Sequence, residues 1–153
     1  MRLSRRAAVF AAASFLLVPP AHAAAPATPD EAKALAEKAA AHVKDVGLDK
    51  ALADFNNPTG GYVDRELFVV VYRTDGKIIC SPGLPAFVNR DANAMKDVDG
   101  KAFGQEIIAA GRNGGSGWVE YRMANPLTHK LALKRSYVIG AGDYVIFVGA
   151  FVG

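Results

Sequence analysis

Two stretches of the chain carry cations and hydroxyl groups at spacings that could hold a small anion. Trp118, Tyr121 and Arg122 lie in Gly114-Gly115-Ser116-Gly117-Trp118-Val119-Glu120-Tyr121-Arg122, and Lys134, Ser136 and Tyr137 lie between Leu131 and Ile139. Tyr72 and Arg90 are the other polar candidates. A cation in an apolar pocket needs an anion, and a ligand carboxylate would supply one. Both stretches read as strands, the first opened by a glycine cluster and closed by Asn125-Pro126, so that together they form an antiparallel hairpin. Alternation then sorts the side chains. Trp118, Glu120 and Arg122 share one face, Val119, Tyr121 and Met123 the other, and Lys134 and Ser136 oppose Arg135 and Tyr137. Tyr121 and Arg122 therefore reach a common pocket only if the strand bulges. Tyr121 and Lys134 head the expected ligand-binding set, followed by Tyr72, Trp118, Arg122 and Tyr137. The plain alternative is packing with one hydrogen bond for each aromatic, and a solvated sheet face for Lys134 and Arg122.

Other chemistries find little support. Outside the first 23 residues the histidines are His42, on a helix, and His129, in a turn, with no cysteine nearby, so neither a metal nor another cofactor is expected. Gly114-Gly115-Ser116-Gly117 resembles a nucleophile elbow only superficially, because Trp118 replaces the closing glycine and the strand follows the serine. Asp97 and Asp99 could pair as carboxylates, yet Asp-Val-Asp-Gly before a helix is first a turn and cap. No phosphate loop or dinucleotide fingerprint occurs, and the chain reads as a binding protein, not an enzyme. Cys80, the single cysteine, excludes an intrachain disulfide; it reads as a buried, inert thiol, with an intermolecular disulfide as the sharper alternative.

The chain has 153 residues and a formal charge of +3. Met1 to Arg6 is basic, Ala7 to Val18 apolar, and Ala21-His22-Ala23 has a small-x-small cleavage pattern, which together describe a signal peptide over residues 1–23. The apolar run is short for a membrane span and ends at Pro19-Pro20. Ser4-Arg5-Arg6 leaves the export route open between general secretion and the twin-arginine system. The leader's three arginines account for the whole net charge, so the remainder, a single domain over 24–153, is neutral. Neutrality gives no electrostatic case for nucleic acid or an anionic membrane.

These groups must be positioned by the elements around them. Thr28-Pro29-Asp30-Glu31 is a cap, a first-turn proline and a capping box, and Ala32, Leu35, Ala36, Ala39, Val43 and Val46 continue at helical spacing to Gly47. This alanine-rich stripe must lie against something flat; a sheet fits, and so does a second copy of the helix, which would make a homodimer. A short helix follows over Asp49 to Phe55. Leu67 to Tyr72 is a continuous apolar strand, turned by Asp75-Gly76 onto Lys77 to Cys80. Ser81 to Val98 reads as a long connection of the kind that forms lids and binding loops. Asp99 to Gly111 is a helix with Phe103, Ile107 and Ile108 inward, and Tyr144 to Phe151 is a second continuous apolar strand. The result is an α+β domain of five antiparallel strands with helices on one side. A PAS-like order, with first and last strands adjacent at the centre, suits the two strands that lack polar alternation.

Ala53-Asp54-Phe55-Asn56, the Asp75-Gly76 turn, Asp97 to Lys101, Gly117 to Arg122 with Asn125-Pro126, Lys134 to Val138 and the terminal strand occur in an order that resembles the single Cache domain type 2 family. These are extracytoplasmic small-molecule sensor modules of bacterial chemoreceptors and kinases. The resemblance runs from about Gly47 to the end. It implies a PAS-like fold with a long N-terminal helix and a small ligand such as an organic acid. Two departures stand out: Ser81-Pro82 where the family often has His-Pro, and Met123 where it often has tryptophan. A receptor would continue into a membrane helix, whereas this chain stops at Gly153. The expected protein is therefore a secreted periplasmic Cache domain that binds a small metabolite and acts with a membrane receptor or kinase. The alternative is a partner-binding or structural module that keeps the fold without a ligand, and a cavity plugged by its own side chains would favour it.

Overall fold

The computed structural model describes residues 25–153, so the leader expected over 1–23 lies outside the described residues. Helix α1 (Pro29–Val46) begins as its sequence requires. The Thr28 hydroxyl accepts the Glu31 N–H at 3.2 Å, and a Glu31 carboxylate oxygen accepts the Thr28 N–H at 2.7 Å, two of the donors that a helix start leaves unpaired. Arg65 reaches over from a two-stranded hairpin, β1 (Val63–Asp64) and β2 (Leu67–Phe68), to pair with Glu31 at 2.7 Å. Gly47 ends the helix at φ 81°, ψ 162°, a positive φ with an extended ψ in place of the expected left-handed cap. It leads directly into α2 (Leu48–Asn56).

The main sheet has five antiparallel strands in the order β4-β3-β7-β6-β5. They are β3 (Val70–Arg73), β4 (Ile78–Cys80), β5 (Ser116–Ala124), β6 (Leu131–Ala141) and β7 (Tyr144–Val152). The first and last strands are neighbours and β7 is central, as the unalternated runs imply. The apolar run from Leu67 is divided at Val69, its first part pairing with β1 and its second with β7.

Helices cover both faces of the sheet, not one. Ala32, Ala36 and Ala39 of α1 are fully buried against Ile146, Val148 and Ala150 of β7. Alanine lets the helix axis come close to the strands, and it assigns the stripe to the sheet, not to a second copy. Val46, the last residue of the stripe, is exposed. On the opposite face lies α3 (Phe103–Gly111), with Phe103, Ile107 and Ile108 buried against Val119, Val138 and Val145. This helix starts four residues later than expected because Asp97 to Gly100 is a turn, with Gly100 at φ 82°.

Cys80 is wholly buried on the α1 face, where burial pushes its thiol up to about 12. An intermolecular disulfide is closed to it in this conformation.

The segment between β4 and α3 is a strap that contains two short 3-10 turns, Pro85–Phe87 and Ala92–Ala94. It is tied to both outer edges of the sheet. Near β4, Ile78 N–H donates to the Arg90 carbonyl at 3.0 Å and Asn89 N–H to the Ile78 carbonyl at 2.8 Å. Near β5, the Asp97 carboxylate accepts the N–H groups of Asp99 and Lys101 at 2.9 Å each and, across the gap, that of Arg122 at 3.1 Å. Those three amides hold its pKa below the usual carboxylate range, Arg122 contributing most.

Candidate functional site

The strap and α3 enclose a cavity of about 20 Å³ over the sheet. Val70, Tyr72, Ile78 and Phe147 form its floor, Leu84, Phe87, Phe103 and Met123 its roof and side, and Phe68, Ser81, Tyr121 and Lys134 complete the wall. Its volume admits about one water molecule, less than any organic acid needs. Strap and β2 touch closely here: a Cβ on Gly83 would stand 2.2 Å from the Phe68 ring.

Of the residues expected to bind, the structure brings Tyr121, Lys134 and Tyr72 together at this cavity, with Ser136 beside them. Lys134 faces Tyr121 across the β5–β6 ladder, and Ser136 faces Gly149 across β6–β7. The missing side chain at Gly149 makes room for Lys134, since a Cβ there would meet Lys134 Cε at 2.5 Å and Ser136 Oγ at 2.2 Å. The lysine stem thus lies across β7 and carries its ammonium to the rings of Phe68 and Phe151, 4.7 and 5.1 Å from their centroids.

Lys134 is only 4% exposed, yet among the described residues it forms no ion pair. Glu66, itself buried, acts on it only from beyond ion-pair distance and is occupied by the Ala27 N–H at 2.8 Å. Burial lowers the Lys134 pKa to about 8, and Glu66 offsets part of that shift. The ammonium is still mostly charged at neutral pH, in contact with aromatic faces and with no anion within ion-pair distance among the described residues.

Tyr121 is buried with its ring stacked on Phe103 at 4.2 Å and its hydroxyl 2.9 Å from Ser136 Oγ. Its pKa is raised to about 12 by burial, against a smaller opposing effect of the Ser136 hydrogen bond. Tyr72 meets Phe147 edge to face at 4.7 Å, and burial raises its pKa further still.

Trp118, Arg122 and Tyr137 do not join them, because β5 and β6 alternate without a bulge and point these side chains to the other face. Trp118 and Tyr137 meet edge to face at 5.0 Å beside α1, with Arg135 over the indole at 5.0 Å and Lys33 over the phenol at 5.1 Å. Arg122 lines an open outer groove of about 340 Å³ next to the cavity, and Arg90 a separate surface hollow. His42 pairs with Asp54 at 2.7 Å on α1 and α2.

The lining that sequence reasoning missed is mostly apolar: Phe68, Leu84, Phe87, Phe103 and Phe147. Their shared signal is a concentration of phenylalanine in the strands and of bulky apolar residues in an otherwise aperiodic connection. Ser81 and Met123, the two departures from the family pattern, both line the cavity.

Comparison with known proteins places this geometry. The sequence pattern of the family described as Single Cache domain 2 matches residues 23–153. No protein among curated sequences matches the chain. Solved structures similar in fold include the following three. A methyl-accepting chemotaxis protein from Vibrio parahaemolyticus RIMD 2210633 superposes with a TM-score of 0.68 at 18% identity, covering 80% of this chain and 86% of its own. A Cache chemosensory domain, described in terms of carboxylic acid recognition, gives 0.67 at 19% identity, covering 81% and 92%. A periplasmic sensor domain of a chemotaxis protein gives 0.60 at 22% identity, covering 81% and 90%. At such identities the likeness establishes the fold.

Proposed function

The chain belongs to the Single Cache domain 2 family, and from that premise we propose that it is a periplasmic sensor domain that binds a small organic acid at Lys134. The observation that carries this reading is a buried ammonium with no ion-pair partner among the described residues, Glu66 acting on it only at longer range. An unpaired charge in an apolar site costs several kcal/mol, and an arriving carboxylate removes much of that cost by forming a charge-assisted pair. Tyr121 and Tyr72 line the same cavity as Lys134 and would orient the second carboxylate oxygen, and the phenylalanines would receive a short apolar tail. The carboxylic acid recognition described for one structural relative points the same way. Signal output would fall to a membrane receptor or kinase that contacts the loaded domain. A leader ending at Ala23 belongs to the same reading, and N-terminal analysis of periplasmic protein should find Ala24 first.

The rival reading, a module that keeps the fold without a ligand, draws on the small cavity volume. It leaves the buried ammonium without a purpose. Calorimetry with acetate, butyrate and benzoate, each beside its neutral amide, separates the two. Binding of at least one acid with no binding of its amide is the expected result. It should be accompanied by a rise in thermal stability, about 2.7 kcal/mol at a hundredfold excess over Kd. A panel in which acids and amides alike leave the protein unchanged would sink the sensor reading and leave the rival.

A further inference from the structure

A cavity too small for any organic acid must open, and the geometry points to the outer groove as the way in: an anion passes between Met123 and the strap turn of Leu84 and Phe87 to reach Lys134. The inference rests on the reading of the cavity as an anion site. Four residues line both spaces, Leu84, Phe87, Phe103 and Met123, and so form the partition between them. The floor cannot part, because Val70, Tyr72 and Phe147 belong to the paired β3–β7 ladder. Within the partition Phe103 is fixed by α3 and by its stack on Tyr121. Leu84, Phe87 and Met123 are half-buried. Met123 stands on an edge strand that pairs only with β6, and an unbranched thioether changes rotamer at little cost. The Leu84 turn lies between the end of β4 at Cys80 and the tie at residues 89–92, and within that span it is held by hydrogen bonds of its own, Leu84 N–H to the Ser81 carbonyl and Phe87 N–H to the Leu84 carbonyl, both 3.0 Å. It can tilt without releasing the strap.

Charge favours the same route. Lys96 and Arg122 line the groove and make no ion pair among the described residues. The one acid in the groove, Asp97, is engaged by three backbone N–H groups. With Asp97 ionised the lining carries a formal charge of +1, Arg122 contributing from the outer edge of β5, and a positive mouth of this kind raises the arrival rate of anions.

The route can be tested without knowing the ligand. Ser81→Cys places a thiol on the cavity wall, and Cys80→Ala removes the native thiol from the opposite face. In the full chain so altered, labelling rates are measured with an anionic, a neutral and a cationic methanethiosulfonate reagent. Met123→Ala should speed all three several-fold. Lys96→Glu with Arg122→Glu should slow the anionic reagent roughly tenfold, leave the neutral one unchanged and speed the cationic one; Lys96→Gln with Arg122→Gln should give the same signs at smaller size should the reversal misfold. Lys134→Met, added to each background, separates the mouth's charge from the cavity's. Rates indifferent to Met123 would overturn the route. An anionic preference lost only with Lys134 would overturn the role of Lys96 and Arg122. If labelling behaves as expected while no carboxylate binds, the route stands and the ligand class fails.

Discussion

Beneath α1, the central strand β7 presents Ile146, Val148 and Ala150 to a row of alanines; on its other face the same strand presents Val145, Phe147 and Gly149 to α3 and the cavity. The first face is closed by small side chains at short range. Three of the four buried polar or charged side chains, Ser81, Lys134 and Ser136, belong to the second. Strand alternation makes this division possible within one sheet, since residues one apart never compete for the same side. The difference teaches where to look for function. The face under α1 is closed by apolar side chains, whereas the cavity face buries an ammonium that has no ion-pair partner among the described residues, and that is where the proposed ligand would act.

The largest expected effect breaks this contrast by making the second face resemble the first. Lys134→Met keeps the aliphatic stem over Gly149 and removes the charge. Affinity for the bound carboxylate should fall by roughly 2 kcal/mol or more, about thirtyfold, when titrated by calorimetry. The empty protein should become more stable, not less. The sign follows from the folded pKa of about 8, which lies below the ordinary 10.5. Between those values the unfolded chain holds a proton that the folded chain has lost, so the Lys134 contribution to stability rises with pH across that window. Below about pH 8 the full penalty is present, of the order of 3 kcal/mol. The ionisable groups facing Lys134 are Glu66, Tyr72 and Tyr121, and the two tyrosines stay neutral throughout this window because burial raises both pKa values. Denaturation at several pH values should therefore show the wild type gaining on Lys134→Met as pH rises from about 8 to 10.5, a difference in which the opposing contributions of Cys80 and the tyrosines cancel. Parallel curves would mean that the ammonium reaches water and the cavity face is no different from an ordinary surface.

A smaller effect tests the complete face. Ala36 is fully buried between α1 and the sheet, and Ala36→Leu inserts volume where close approach leaves none. Overpacking of this kind costs 1 to 3 kcal/mol, to be read from thermal or urea denaturation, with carboxylate affinity unchanged. Unchanged stability would show that α1 does not press on the sheet, and would return its alanine stripe to the dimer interface that composition alone allows.

How far the sequence could be read follows from the range of each signal. The Thr28–Glu31 capping box, the Asp75-Gly76 turn and the unalternated runs of β3 and β7 are local, and they placed the helix start, a hairpin and the sheet order. Alternation is also local, and it already separated Tyr121 and Lys134 from Arg122 and Tyr137. Which sheet face a helix covers is not local. The apolar stripe of α3 says that one side is buried but not against what, which is why helices were expected on one face alone. The strap was legible as a connection and no more, since Leu84 and Phe87 have no periodicity and acquire their role only when Asp97 ties the segment to an edge strand 25 residues later. Gly149 is the least legible: its importance is the space it leaves for a lysine on the neighbouring strand.

The finest test concerns the hydrogen bond between Tyr121 and Ser136, which separates packing from polarity on the cavity face. Tyr121→Phe preserves the ring stacked on Phe103 and removes only the hydroxyl, leaving the wholly buried Ser136 Oγ without that partner. Losing one neutral hydrogen bond costs about 1 kcal/mol. Carboxylate affinity should fall by a similar amount, less than for Lys134→Met, because the phenol orients a charge that the lysine neutralises. Ser136→Ala in the same chain then removes the orphaned partner, so the double variant should be less destabilised than the sum of the singles. The two readouts diverge in an informative way. Recovered stability with affinity still reduced would mean that Tyr121 acts on the ligand directly. If affinity recovers together with stability, the Tyr121–Ser136 pair only holds the wall in place, and Lys134 alone distinguishes this face from the one beneath α1.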